Sequence, residues 1–384
     1  MNTVVKKIMR PALLILLLIN FSFAVLSQQK MIFDHPEDLE IAQKAIQKIY
    51  NNEFKEGKEY AIKLKKDYEK HPAYTLLECI SLYQKSVFDI DKDKEDPFYY
   101  SKLKLTLSHA NTLYENSPNS DEAIFFELII HSLLARYNNE NKKFLNAAGE
   151  AKRSYKYIKK GYKRKESNSE FYLSSGLLDY YLVQYPEANP IVKPLVAAFF
   201  PKGNKEQGID YFKKGAKKAV FTQPECYGYL NLVLLKYENR YEEGLKYTKE
   251  ALDLYPKNTF NRCQYAEALL FTKDYQKAKK EIDQLFKSDI AFFKFVGYTL
   301  NGIYFEKYKK DYKTAYENYT KAVEIGERNV KVSFDYLSMA YNGLGRYYDH
   351  KNEEKSASSY YKKSLKIAEY VSVKTEAKAY LKKN

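Results

Sequence analysis

From residue 36 onward, apolar positions recur with the spacing of helices. Tyr241, Leu245, Thr248, Leu252 and Tyr255 step by four, three, four and three, which puts them on one face of a helix. Tyr275, Ala278, Ile282 and Leu285 repeat the pattern. Strict apolar/polar alternation is scarce, so strands are not expected. Pro36, Pro72, Pro97, Pro118, Pro186, Pro224 and Pro256 punctuate these stretches, and short connections between them predict antiparallel neighbours. The pattern predicts an all-α chain of packed helix pairs.

Three segments align with one another: RYEEGLKYTKEAL, DYQKAKKEIDQLF and DYKTAYENYTKAV, starting at Arg240, Asp274 and Asp311. Each sets Tyr three residues before a small residue, Gly244, Ala278 or Ala315, and these lie 34 and 37 residues apart. In YNGLGRYYDHKNEEKSASSYYKKSLKIAE, the residues Tyr341, Leu344, Gly345, Tyr348, Ala357 and Tyr361 fall at the signature positions of a helix-turn-helix unit of about 34 residues. With these motifs the chain resembles the tetratricopeptide-repeat (TPR) family, and in particular exported bacterial members of undefined role. That resemblance implies a right-handed superhelical solenoid of antiparallel helix pairs, about eight here, with a capping helix at the C-terminus. Small residues let the two helices of a pair approach, and aromatics fill the spaces between pairs.

The resemblance is densest over residues 225–384 and looser over 28–224. In the looser part, Phe54 stands three before Gly57, while Gly176 and Gly208 occupy matching positions 32 residues apart, where the family leaves about 12. An insertion at about 186–201 therefore interrupts one repeat. Its Pro186, Pro190 and Pro194 are expected to prevent a simple continuation of either helix. Ile191, Val192, Leu195, Phe199 and Phe200, with Val196, make it densely apolar. Two readings are open, a partner contact and a plug for the chain's own solenoid.

Residues 1–27 have the layout of a secretory signal. Lys6, Lys7 and Arg10 precede an apolar run from Ala12 to Phe23, and Val25 and Ser27 suit cleavage before Gln28. The run is shorter than the roughly 20 residues of a membrane span, and an uncleaved anchor is the alternative. No Cys follows it before Cys79, so a lipid anchor is not expected. The expected destination is the periplasm or cell envelope, or the outside of the cell.

Composition narrows the functional classes. The chain has 384 residues, 64 Lys+Arg against 49 Asp+Glu, 39 Tyr, 22 Phe and no Trp. Removing residues 1–27 lowers the formal charge from +15 by three, to +12. Cys79, Cys226 and Cys263 have no CxxC spacing and read as buried free thiols, with a Cys226–Cys263 disulfide as the alternative. No metal, cofactor or catalytic motif is found: the five His lack HExxH spacing, and GxSxG, GxGxxG and phosphate-loop sequences are absent. Asp89, Asp91 and Asp93 begin like a calcium loop, but Lys94 and Tyr100 stand where that loop needs Gly and Glu. The expectation is a non-catalytic binding scaffold.

Two surfaces are candidates for binding. Repeat alignment aims Tyr229, Lys236, Tyr237, Glu267, Phe271, Asn342 and Arg346 at a concave groove suited to a protein or peptide. The Lys and Asn cluster by which chaperone-tail-binding relatives grip a carboxylate is replaced, with Tyr229 and Val233 at two of its places. Lys152, Lys156, Lys159, Lys160 and Lys163 form a basic stripe, with Tyr155, Ile158 and Tyr162 expected to pack inward. It reads as a solvated outer helix or as a site for an anionic polymer or glycan, with nucleic acid disfavoured by the export signal.

Overall fold

The computed structural model describes residues 30–88, 96–328 and 330–383. The signal-like segment and the acidic run from Asp89 to Asp93 lie outside them. Among the described residues the chain is helical and has no strand. The helices are α1 (Pro36–Tyr50), α2 (Phe54–Tyr68), α3 (Pro72–Ser86), α4 (Pro97–Asn116), α5 (Asp121–Glu140), α6 (Phe144–Tyr162), α7 (Phe171–Ala188), α8 (Lys193–Phe199) and α9 (Lys205–Lys218). They continue as α10 (Gln223–Leu232), α11 (Tyr241–Leu254), α12 (Thr259–Phe271), α13 (Tyr275–Leu285), α14 (Ala291–Tyr304), α15 (Tyr312–Arg328), α16 (Val330–His350), α17 (Glu354–Ile367) and α18 (Val371–Lys383).

Pairing follows chain order: α1/α2, α3/α4, α5/α6, α7/α9, α10/α11, α12/α13, α14/α15 and α16/α17 pack on one another, and α18 caps the last pair. Helix starts are encoded locally. Pro occupies the first turn of α1, α3 and α4, and the side chains of Asp96, Ser120, Asn204 and Asn258 accept from the amides of Tyr99, Ala123, Gln207 and Asn261 at 3.0–3.1 Å. The B helices α11, α13 and α15 begin at Tyr241, Tyr275 and Tyr312, and the small residues Gly244, Ala278 and Ala315 are buried against the A helix, as the alignment requires.

A three-dimensional repeat appears in the turns. Asn52, Lys142, Asn239, Lys273, Lys310 and Asn352 all have φ between 52° and 65°, and each lies between the A and B helices of its pair. In four of these turns the next residue's amide closes onto a carbonyl five residues back, as in Lys143 to Asn138 (2.8 Å) and Asp274 to Leu269 (2.9 Å). The turns after α10 and α14 differ because both helices widen into π-helical turns, Val233–Tyr237 and Phe305–Lys309.

The pair α7/α9 is intact despite its insertion. A Cβ on Gly176 would lie 2.6 Å from Phe212 and 3.0 Å from the Gly208 carbonyl, so glycines at both crossing points let the helices touch. The helix itself departs from expectation, since α7 runs through Pro186 for two more residues before ending at Ala188. The proline removes the bond that an amide at position 186 would donate to the Leu182 carbonyl, and the helix ends two residues later. Pro190 then opens a short 3₁₀ turn and Pro194 enters the first turn of α8.

The solenoid winds back on itself. Asn51 and Asn52, in the first turn, exchange hydrogen bonds with the Lys257 backbone at 2.8 and 3.0 Å, Glu53 pairs with Lys257 Nζ at 2.6 Å, and Asn258 donates to the Tyr50 carbonyl at 2.7 Å. Phe88, after α3, stacks on Phe260, Phe292 and Phe293 with ring centroids 4.9–5.3 Å apart. The first pairs thus dock on α12 and α14, about two hundred residues away. The three cysteines are buried and free, and the Cys226–Cys263 bridge is not formed.

Candidate functional site

The concave face is divided in two by the chain's own contacts. Its first part is a pocket of about 200 Å³ lined mainly by the A helices α1, α3, α5, α7 and α10. Leu76, Ile80, Phe125, Leu128, Leu133, Leu173 and Leu177 give it an apolar wall, and Tyr229 is part of its lining. Helix α5 explains why the wall is so apolar: Ile124, Phe125, Phe126, Leu128, Ile130 and Leu134 bury every side of it. A helix apolar all round is an interior helix.

Polar groups in this wall are mostly occupied. Glu170 accepts from the amides of Val220, Phe221 and Thr222 at 2.6–3.1 Å and from the Thr222 hydroxyl at 2.9 Å. Burial still raises its pKa, because a carboxylate without water is disfavoured even when hydrogen-bonded. Glu225 accepts from the Tyr50 hydroxyl at 2.6 Å. The Arg136 guanidinium lies over the Tyr83 ring, 3.7 Å from the centroid, and although burial disfavours its charge, the Tyr83, Glu225, Tyr99 and Glu140 side chains around it raise its pKa. Sequence reading missed this residue, although an Arg at the end of FELIIHSLLAR, where Glu127, His131 and Ser132 are the other polar residues, is the available signal.

The second part of the concave face is a groove of about 310 Å³ lined by Phe271, Asn342 and Arg346, together with Tyr241, Lys273 and Lys307. Here the expected contact residues are committed to the chain itself. Arg346 forms two-pronged contacts with Glu306 (2.7 and 2.8 Å) and with Glu376 (2.8 and 3.0 Å). Asn342 is buried and donates to the Val373 carbonyl at 3.0 Å and to Glu376 at 3.1 Å. Lys236 is buried and bridges Asp335 (2.8 Å) and Glu369. Glu267 is fully buried beneath the Tyr336 hydroxyl, which donates to it at 2.9 Å. Tyr237 packs on Tyr180 and Tyr181. The expectation that these side chains face an open groove is corrected for Lys236 and Glu267, which are buried outside its lining, while Asn342 and Arg346 line the groove with their polar groups held by the chain itself. The reason is helix α18, which lies against α16 and the π-helical turn after α10, and whose Glu376 and preceding Glu369 take up the groove's cations.

Burial sets the electrostatics of this network. Burial pushes the Glu306 carboxyl up, but Arg346 outweighs it and holds the pKa at about 2. Glu267 has no such partner, so burial lifts it to about 7 against the opposing hydrogen bonds of Tyr370 and Tyr336.

The insertion is open to solvent. Ile191, Leu195, Phe199 and Phe200 are exposed, Ile191 almost completely at 95%, so the arm does not plug the solenoid. Val192 is half-buried, and Phe200 touches Tyr155 of α6 with ring centroids 5.4 Å apart. That contact sets the arm beside the basic stripe. Lys152, Lys156, Lys159 and Lys163 are exposed, and none is ion-paired among the described residues. Lys160 is half-buried and donates to the Tyr114 hydroxyl. The inward face of α6 differs from expectation: Ser154, Tyr157 and Gly161 are buried, whereas Tyr155, Ile158 and Tyr162 are half-buried. Small residues decide this, since Ser154 meets Ser132 at 2.8 Å and Phe171 covers Gly161.

Among the described residues no group of three His, Cys, Asp or Glu side chains could hold a metal, and no helix is long and apolar enough to cross a membrane.

No family model and no curated protein matches the chain. Solved structures do. Human IFIT1, as a dimer with PPP-AAAA, aligns at 14% identity and a TM-score of 0.42 over 82% of this chain and 69% of its own. The C-terminal part of a TPR-repeat-containing protein from Cytophaga hutchinsonii aligns at 14% identity and 0.27 over 85% and 95%. Yeast Tom70 aligns at 13% identity and 0.23 over 91% and 96%. The fold assignment rests on the chain's own pairs, turns and signature residues, and by these the protein is an all-α, TPR-like solenoid of antiparallel helix pairs.

Proposed function

We propose that this protein is a non-catalytic scaffold, exported to the periplasm or cell envelope, that binds a protein partner through the arm at 186–201. One observation carries the reading. Ile191, Leu195, Phe199 and Phe200 stand exposed on a short helix inserted into an otherwise intact repeat pair. A contiguous apolar surface left in water marks a contact site. Lys193 and Lys202 are exposed on the same arm and the α6 lysines flank it, so the complementary partner presents an apolar groove rimmed by acidic side chains. The occupied groove residues of α10, α12 and α16 support the arm over the C-terminal groove as the docking surface.

The test is photocrosslinking in cells from a photoreactive residue at position 199, followed by binding of the identified protein to purified wild-type and Leu195→Glu/Phe199→Glu chains. The double variant should lose at least about tenfold in affinity, equivalent to about 1.4 kcal/mol. Equal binding by both chains, or adducts to lipid alone, refutes the reading. A second reading, an anionic envelope polymer or glycan on α6, is favoured by the unpaired Lys152, Lys156, Lys159 and Lys163. Retention on such a polymer should fall steeply with salt and with Lys→Gln changes at these positions.

A further inference from the structure

We propose that helix α18 is a displaceable latch over the concave groove of α12, α14 and α16, and that its release opens a second docking surface for an acidic amphipathic helix of a partner protein. The inference does not rest on the arm at 186–201, which remains the open surface while the latch is closed.

The segment after α17 lies across the concave side as a ligand would. Glu376 meets Arg346 and Asn342 of α16, Tyr370 meets the Phe271 ring of α12 edge-on with centroids 6.4 Å apart, and Glu369 meets Lys236 in the turn after α10. A helix that only capped the end would need α16 and α17 alone. Little apolar surface holds it there. From the end of α17 onward only Ala368, Tyr370, Val373 and Ala377 are buried among the described residues, whereas α12 buries eight of its 13 residues and α14 nine of its 14. The rest of the hold is polar and within reach of solvent, since the Glu369 and Glu376 side chains are 50% and 37% exposed. Segments with few buried apolar contacts open at a fraction of the cost of global unfolding.

The cations belong to the body of the solenoid and the acids to the latch. Arg346 holds Glu306 through Nε and Nη2 and meets both Glu376 oxygens through Nη1 alone. Lifting α18 therefore frees the Nη1 edge, beside a floor of Leu270, Phe271, Ile303 and Met339, while Lys236 keeps Asp335 and loses Glu369. The complement is a helix with two acids seven residues apart, as Glu369 and Glu376 are, and aromatic or aliphatic residues between them.

A second copy's α18 would bring the same contacts and compete with a tethered helix at an effective concentration on the order of millimolar. A different partner can win by supplying what α18 lacks. The Oδ1 atoms of Asn342 and Asp335, seven residues apart on α16, are buried without a donor among the described residues. A helix carrying an amide or hydroxyl beside its acids gains hydrogen bonds there that α18 does not make.

The probe is a labelled synthetic peptide of residues 368–384, titrated by fluorescence anisotropy into the full mature chain and into Glu369→Lys/Glu376→Lys, which releases α18 and leaves the groove residues unchanged. The peptide should bind the variant at least about tenfold more tightly than the wild type, and adding Arg346→Gln should erase the gain. Hydrogen exchange checks the fold, with α16 amides as slow in the variant as in the wild type and α18 amides faster. It also reads the wild type directly, where salt should accelerate exchange in α18 more than in α17 because half-exposed ion pairs are screened. Equal peptide binding by both chains, a gain that survives Arg346→Gln, or salt-insensitive exchange of α18 overturns the latch. Gln scanned through positions 371–380 of the peptide should yield one that competes α18 off the wild-type chain. Failure of every scanned peptide, or wild-type dimers that exchange α18 between copies, overturns the foreign partner.

Discussion

Arg346→Met removes the guanidinium that joins α14, α16 and α18 while keeping an unbranched side chain of similar reach. In the wild type, Arg346 holds Glu306 and Glu376 and touches the Tyr319 hydroxyl at 3.3 Å. Glu306 is only 8% exposed, so the variant leaves a buried carboxylate with the Tyr319 hydroxyl at 2.7 Å and Lys307 at 2.8 Å, the lysine on a half-exposed side chain. Breaking a fully buried pair costs about 3–5 kcal/mol, and the remaining lysine puts this case near the lower bound. The pKa supplies a second estimate. A shift of Glu306 from 4.5 to about 2 corresponds, at about 1.4 kcal/mol per unit, to about 3 kcal/mol. The sign follows from the depressed folded value. This stabilisation is complete above the unfolded pKa of 4.5 and drains away as pH falls towards 2. Urea unfolding of both chains, followed by far-ultraviolet circular dichroism from neutral pH down to pH 2, reads the difference, with equal m-values required because solenoids can lose end pairs separately. The expected difference is about 3 kcal/mol at neutral pH, shrinking in acid. A difference below about 1 kcal/mol, or one that does not change with pH, refutes the reasoning.

Glu267→Gln has the opposite pH signature. Burial raises the Glu267 pKa to about 7, so its protonated form contributes stability below 4.5 that is lost as pH rises through 7, and the amide should flatten that slope and stabilise the alkaline range by up to about 3 kcal/mol in urea titrations. Lys273→Gly, at φ 65°, should stabilise the chain by about 0.5–1 kcal/mol, whereas Lys277→Gly inside exposed α13 should destabilise it by about 1 kcal/mol, both read as shifts in urea midpoint. Gly176→Val should cost about 1–3 kcal/mol by the same measurement, because its side chain would drive Phe212 and the Gly208 carbonyl off α7.

The sequence showed the architecture wherever a side chain had to be small or a helix had to start. Gly244, Ala278, Ala315 and Ala357 are the close-approach positions of the B helices, and Phe54 with Gly57 and Gly176 with Gly208 extended the repeat correctly into the divergent half. The inter-helix turns were less legible. Three of the six left-handed residues are lysines, a type with no preference for that conformation, and the turn geometry imposes it on them. The groove was misjudged for a different reason. Repeat alignment gives the direction of Lys236, Glu267, Asn342 and Arg346 within their own helices, but says nothing of where a segment two or more elements later will fold. Glu369 and Glu376 come from such a segment, and they tie Lys236 and Arg346 into internal ion pairs. Arg136 escaped notice because its burial beside Tyr83, Tyr99, Glu140 and Glu225 joins residues of four helices, which only packing reveals.

The central claim is that the solenoid closes on itself, with the first repeat pair docked on the turn before α12. Zero-length carbodiimide coupling followed by peptide mass spectrometry tests it, because the reagent joins only carboxylate and ammonium groups already in contact. Glu53 and Lys257 lie 2.6 Å apart and 204 residues apart in sequence. The account predicts a Glu53–Lys257 isopeptide in the monomer, alongside the local Lys249–Asp253 link, whose atoms are 2.5 Å apart. Recovery of the local link without the long-range one would contradict it.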